Sequence, residues 1–360
     1  MKAVMWTGAE RMSVIDHPLP EPEANEVLIK VSHVGICGSD LEGYLGHNSL
    51  RHPPLLMGHE FSGTIVGFGG GSGSGESAEA GSSEGGSASS ENTAALALGD
   101  RVVVNPLIHC GACPRCIRGQ FNLCDRRRII GIHRPGAYAE HIAVPAAQVV
   151  RIPEGLTDLR ASLTEPLACS LRAARRAMAT VPMGNVAIIG AGAIGLLSAF
   201  SARLLGAGKI FVLDNNPLRL KHVAELGFDG AVDSSDADAV AAMLKASGPK
   251  GIDVVIDAAG FSVTRSLAKR IVNTGGTIMN IGLGSGESVL PVNDMIRSET
   301  TVLGSFCYAP QDFADALELL AAGKVTEAGW TTIRPLADGP ACFASLVRGE
   351  VPHGKIILEV

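Results

Sequence analysis

Four cysteines fall within CGACPRCIRGQFNLC: Cys110, Cys113, Cys116 and Cys124, spaced C-x2-C-x2-C-x7-C. Thiolates this close in sequence can surround one tetrahedral Zn²⁺, and four sulfur ligands leave no open position, so the site they predict is structural. An iron–sulfur cluster is the rival, but its bacterial spacing closes with three residues and a following proline. Here seven residues intervene and Asp125 follows. Four unrelated buried thiols are the remaining alternative.

A second set is dispersed: Cys37, Ser39 and Asp40 in GICGSD, His59 and Glu60 in GHEFSG, and Glu165 in TEPLAC. Singly, each has an ordinary structural reading, as a core thiol, a turn histidine or a helix-start carboxylate. Together they offer the mixed nitrogen, sulfur and oxygen ligands of a catalytic zinc, which also needs an exchangeable position. The third signal is GAGAIG, in which Gly190, Gly192, Ala193, Ile194 and Gly195 follow the apolar run VAIIG and open an apolar helix. Such a glycine loop can admit a pyrophosphate at a helix N-terminus. Asp214 closes FVLD, 24 positions after Gly190, where a carboxylate accepts both ribose hydroxyls of NAD and repels the 2′-phosphate of NADP. Arg219, nearby, is a cation that could tolerate that phosphate.

These residues need elements to hold them. Up to about Val150, short β-branched runs (KAVMW, VLIKVSHVG, GTIVGFG, RVVVNPL) broken by Gly, Pro and Asp predict an irregular β-rich domain. From about Val181, apolar strands alternate with alanine-rich helical stretches: VAIIG with AIGLLSAFSARLLGA, KIFVLD with PLRLKHVAELG, DVVIDAAG with SVTRSLAKRIV, then GTIMNIG. That alternation predicts a doubly wound parallel sheet, so the fold class is α/β. Between GTIVGFG and ALGDRVVV, residues 69–95 are Gly, Ser, Ala and Glu apart from Asn92 and Thr93, too little apolar surface to offset the entropy of ordering, and read as a flexible loop, with a lid or partner-binding segment as the alternative.

Composition narrows the function classes. The 360 residues carry 30 Lys+Arg against 36 Asp+Glu, which argues against a dedicated nucleic-acid binder. Four of the six net negative charges are glutamates of 69–95. No apolar run reaches the roughly 20 residues of a membrane helix, and MKAVMWTGAE lacks a signal core, so a cytoplasmic location is the expectation. There, eight cysteines read as metal ligands or reduced thiols.

CGSD, GHExxG, GDRV, the four-cysteine lobe, EPL, GxGxxG and the terminal GKIIL, taken together, make the chain resemble the zinc-dependent medium-chain alcohol dehydrogenases over nearly its whole length outside 69–95. EPL and RSETTVLGSFCY are similar to the polyol (sorbitol) and threonine dehydrogenase branch. The resemblance implies a GroES-like catalytic domain from 1–166 and 303–360, with the structural zinc lobe at about 105–128, and an NAD-binding Rossmann domain at 167–302. It implies two zincs per subunit, a small alcohol or polyol substrate and a homodimer or homotetramer. Cys37 and His59 would ligate the catalytic zinc, with Glu60 or Glu165 binding the metal or holding its water. Lys355 would lie near the cofactor pyrophosphate, Gly282 and Leu283 at the nicotinamide, and Ser39, Tyr44, His47 and Glu299 on the substrate side.

The implied chemistry is oxidation of a secondary alcohol, with zinc lowering the alcohol's pKa and hydride passing to C4 of NAD⁺. Ser39 can accept and donate a proton on its way to solvent. Two positions depart from the family pattern. Glu42 stands where many members have a histidine, so Glu42, His47 or water would take the outer relay step, and Cys307 replaces the usual polyol-branch arginine. An L-threonine-type amino-alcohol dehydrogenase is the alternative within the class, and a non-catalytic NAD-binding scaffold the alternative outside it.

Overall fold

The computed structural model describes residues 1–70 and 96–360. The tract read as a loop therefore lies, from residue 71 onward, outside the described residues. The chain divides into two units. The first comprises Met1–Glu165, Ile333–Ala344 and Ile357–Val360, and the second Pro166–Thr332 and Ser345–Ile356.

In the first unit the strands Val149–Arg151, Arg101–Val104, Glu60–Phe68 and Glu26–Gly35 lie side by side in that order, followed by Ile357 to Glu359 of the last strand, and His141–Pro145 also pairs with Glu26–Gly35. The runs are short and alternate buried with partly exposed positions, the pattern of strands with one face on a core. Lys2–Gly8 pairs antiparallel with Arg11–Asp16 in a separate small sheet. A two-stranded ribbon, Leu107–Ile108 with Arg128–Ile129, closes the base of the cysteine lobe.

The second unit holds six parallel strands in the order Gly230–Asp233, Ile210–Asp214, Val186–Ile189, Val254–Asp257, Thr277–Asn280 and Thr301–Gly304. Ile210–Asp214, Val186–Ile189 and Val254–Asp257 are buried throughout, because helices cover both faces of such a sheet and leave no polar side to alternate with. Asn216 caps the helix Pro217–Glu225 by accepting from the N–H groups of Leu218 and Arg219, with Pro217 fixing the first turn. The strand Gly230–Asp233 and the helix Ala237–Ala246 were not expected from the sequence. The strand is a four-residue edge that opens on glycine, too short and too exposed to show a hydrophobic run.

The C-terminal part of the chain divides differently from the expectation, and Ser345–Ile356 goes with the second unit. The return to the first unit falls at Ile333, not at 303. Thr301–Gly304 is hydrogen-bonded to Thr277–Asn280 in the parallel sheet. The helix Pro310–Ala321 is held to the same unit by Asp312, whose carboxylate lies 3.2 Å from Arg172 and 3.0 Å from Arg175. Sheet pairing and these ion pairs keep the strand Thr301–Gly304 and the helix Pro310–Ala321 with the second unit.

Candidate active site

Cys37 follows the strand Glu26–Gly35 at the position just before the short helix Gly38–Tyr44, while His59 precedes and Glu60 opens the strand Glu60–Phe68. The two strands are antiparallel, with Gly35 opposite Glu60, and this register brings two segments 22 residues apart to one place. One ligand atom each of Cys37, His59 and Glu60 lies within 4.8 Å of the others. His59 and Glu60 are buried, and Cys37 is partly so. Glu165, buried in the first turn of the helix Thr164–Met178, is not part of that close group.

Asp40, three residues after Cys37 and fully buried, stands 3.5 Å from His59 Nδ1. Its carboxylate also accepts from Arg51 Nη2 at 2.7 Å and from the Tyr138 hydroxyl at 2.7 Å. Burial pushes Asp40 up, but His59, Arg51 and Tyr138 outweigh it and hold the carboxyl well below its usual range. Burial likewise pushes His59 down, yet Asp40 and Cys37 raise it well above the ordinary imidazole value. The pocket therefore attracts positive charge, and its N, S and O donors suit a zinc that keeps an exchangeable position. Sequence reasoning missed Arg51 and Tyr138, which carry no local motif. Asp40, singled out in GICGSD among the candidate ligands, stands behind His59 and is not in the close ligand group.

Ser39 Oγ donates to Cys37 Sγ at 3.3 Å. Glu42 Oε2 and His47 Nδ1 are 3.3 Å apart on the exposed end of the same segment, so the two outer relay candidates form one pair. Tyr44 does not fit a substrate role. Its ring is buried 5.5 Å from that of Phe343 and its hydroxyl donates to Glu10 O at 3.2 Å, because the helix face it shares turns into the core. A separate cleft of about 770 Å³ in this unit is lined by His17, His52, His133, Arg128 and Arg134, and none of Cys37, His59, Glu60 or Glu165 borders it.

The four cysteines meet in the lobe. Cys113 and Cys116 sulfurs are 3.5 Å apart, Cys110 and Cys124 3.5 Å, and Cys110 and Cys116 3.9 Å. Four sulfurs at about 2.3 Å from one tetrahedral zinc would stand about 3.8 Å from each other, so the spacing fits the ion. The N–H groups of Ala112 and Cys113 draw the Cys110 thiol down to about 6, and burial, with Cys113 and Cys124 alongside, pushes Cys116 up to about 12. Four thiolates so close repel one another unless a cation lies between them.

In the second unit, Gly190, Gly192, Ala193, Ile194 and Gly195 link the strand Val186–Ile189 to the helix Ala193–Leu204. A Cβ on Gly195 would stand 1.7 Å from Gly190 O, so only glycine lets this helix start under the loop. Asp214 ends its strand buried, accepting from the N–H of Ala191 at 2.7 Å and of Asn216 at 2.9 Å, with Arg219 3.7 Å away. It thus fixes the glycine loop as well as facing it. Gly282 and Leu283 follow the strand Thr277–Asn280, and a Cβ on Gly282 would come within 2.5 Å of Gly260 N. Asp257, missed from sequence, shapes the facing loop by accepting from the N–H groups of Ala259 and Gly260. Lys355 is buried beside Gly354, which packs on Leu196 and Ala191 of the glycine loop.

Glu299 is a correction. It precedes the strand Thr301–Gly304, where Thr301 N–H bonds Gly276 O, so it lies at the edge where the parallel strands begin. Gly190, Asp214 and Gly282 lie at the opposite edge, where strands end and cofactors of such sheets bind. Glu299 is exposed and belongs to a left-handed turn (φ +47°).

Two family models match: an alcohol dehydrogenase GroES-like domain over residues 23–154 and a zinc-binding dehydrogenase domain over 193–322. The chain is 35% identical to the L-galactonate-5-dehydrogenase of Escherichia coli (strain K12), over 90% of this chain and 86% of that one. It is 32% identical to a sorbitol dehydrogenase of Halalkalibacterium halodurans, covering 90% of each. A structure described as a zinc-binding dehydrogenase from Sinorhizobium meliloti 1021, bound to NADP, superposes with a TM-score of 0.84 at 32% identity, covering 100% of this chain and 99% of that one. Fold, motifs and relatives agree, and the chain belongs to the zinc-dependent medium-chain alcohol dehydrogenases, on their polyol dehydrogenase branch.

Proposed function

We propose that the protein oxidises a secondary alcohol of a polyol or sugar acid to the ketone, reversibly, with NAD as the hydride acceptor. The observation that carries this reading is the close group of Cys37, His59 and Glu60, built on two strands with Asp40 behind His59. Cys37 and His59 would hold the catalytic zinc, with Glu60 or Glu165 as the carboxylate, and Cys110, Cys113, Cys116 and Cys124 would hold a structural one. When bound, the catalytic zinc supplies Lewis acidity that makes the substrate hydroxyl acidic near neutral pH, and NAD supplies the acceptor carbon.

The chain's own residues then have separate tasks. Ser39 Oγ takes the hydroxyl proton and passes it outward to the Glu42–His47 pair or to water. Asp214 accepts the adenosine ribose hydroxyls, and its charge disfavours a 2′-phosphate, so NAD is preferred over NADP. Gly190 to Gly195 leave room for the pyrophosphate, Lys355 adds a cation beside that loop, and Gly282 and Leu283 offer backbone to the nicotinamide. No helix among the described residues is long and apolar enough to cross a membrane, and we read the enzyme as cytoplasmic. Thr301–Gly304 is one of the two edge strands of its sheet, and pairing of two such edges across a two-fold axis would give the expected homodimer, or a homotetramer of dimers.

The test is NADH formation from a panel of polyols, sugar acids, inositols and amino alcohols, run with NAD⁺ and with NADP⁺, on protein assayed for zinc. Turnover of a polyol or sugar acid by protein with two zincs per chain is expected. Threonine as the preferred substrate would move the protein to the amino-alcohol branch, and NADH binding without any turnover would make it a scaffold.

A further inference from the structure

Arg51 has no place in the reading above, yet it is a fully buried charge near Cys37 and His59. Its guanidinium side chain is 0% exposed, and a charge so buried must be compensated. A single nitrogen does this. Nη2 donates to Asp40 Oδ1 at 2.7 Å and to Ser39 Oγ at 3.3 Å. Asp40 faces His59, and Ser39 faces Cys37. One donor group thus touches the partner of each of two candidate zinc ligands. The slot for the side chain is cut by Gly43, where a Cβ would stand 2.4 Å from Arg51 Cδ.

We infer that Arg51 is a positioning residue for the reaction, a deduction that rests on the proposed function. A guanidinium keeps its proton at any working pH, so towards Ser39 it can only donate. One lone pair of Ser39 Oγ is then committed to Arg51, leaving the other to receive a substrate proton while the serine's own proton, which rests on Cys37 Sγ, turns away and is released outward. The same guanidinium, 2.7 Å from Asp40 Oδ1, holds that carboxylate beside His59 Nδ1, which leaves Nε2 as the imidazole's remaining donor atom. Arg51 acts through Ser39 and Asp40 and touches no reacting atom.

The experiment uses the full chain as purified with zinc and compares Arg51→Met, Arg51→Lys and Gly43→Ala with the unaltered protein. The last keeps every charge but takes the space of Arg51 Cδ. Zinc release to a chromogenic chelator is followed alongside kcat, KM and the melting temperature. The unaltered protein should release zinc in two classes. Arg51→Met should speed one class by about 10–100-fold and lower kcat by about the same factor, with KM within about threefold and the slow class untouched. Gly43→Ala should move the same quantities in the same direction, and Arg51→Lys should recover part of both.

Unchanged zinc release and kcat in Arg51→Met would overturn the inference, as would a rise in KM alone, which would make Arg51 a substrate anchor. Loss of both zinc classes together with a collapsed melting temperature in all three variants would reduce it to a folding ion pair. A single zinc class and no turnover in the unaltered protein would instead sink the proposed function itself, so the two failures are told apart.

Discussion

Among the described residues the first unit contains two clusters of metal-ligand type, and they are built in opposite ways. The cysteine lobe draws all four sulfurs from a span of fifteen residues, with neighbouring N–H groups and a two-stranded ribbon to close it. The cluster of Cys37, His59 and Glu60 is assembled by strand register, and its orientation comes from Asp40, Arg51 and Tyr138 on three different segments. Four sulfurs would fill a tetrahedral metal and leave it no open position, so a metal held there would brace the fold. A site made by tertiary contact can leave a position open and surround it with groups that move protons.

That contrast can be broken at several points. The largest effect is expected from Cys37→Ser: activity falls by about a thousandfold or more, equivalent to several kcal/mol of lost charge stabilisation, while the cysteine-lobe zinc stays. Metal analysis beside an activity assay reads both, and full activity with two zincs would remove Cys37 from the chemistry. Next, Ser39→Ala should lower kcat by about a hundredfold with zinc content unchanged.

Cys124→Ser should reverse the pattern. It should cost more than about 3 kcal/mol of stability in denaturant titration, with kcat of the protein that stays folded down by less than about tenfold. A loss of turnover as deep as that of Cys37→Ser, without destabilisation, would erase the distinction between the two clusters. A smaller change is expected from Glu42→Gln, about fivefold or less in kcat, because water can take the outer proton. Smallest is Tyr44→Phe, which should leave KM for the alcohol within about twofold and cost about 1 kcal/mol for the lost bond to Glu10 O. A large rise in KM would return Tyr44 to the substrate side.

How well each residue could be read follows the same division. Cys110 to Cys124, Gly190 to Gly195 and Asp214 were legible because their geometry depends on residues close by in sequence or on a strand followed directly by a helix. Tyr44 and Glu299 were misread because the direction of a side chain, or the edge of a sheet on which a turn lies, is fixed by what packs against it. Glu299 is only two residues from the strand Thr301–Gly304, but the parallel direction of that strand puts it at the far edge from Gly282. The placement of the strand Thr301–Gly304 and the helix Pro310–Ala321 went the same way, decided by pairing with Thr277–Asn280 and by the ion pairs of Asp312.

From the sequence alone came the α/β class, the family, the cysteine lobe and the dinucleotide loop, since periodicity and short spacings are local properties of a chain. The tertiary structure alone decided that His59 is backed by Asp40, that Asp40 and Ser39 share a buried Arg51, and that Glu42 meets His47. The physical reason is burial. A charge removed from water takes whichever partner the packing offers, and sequence spacing does not specify which partner that is.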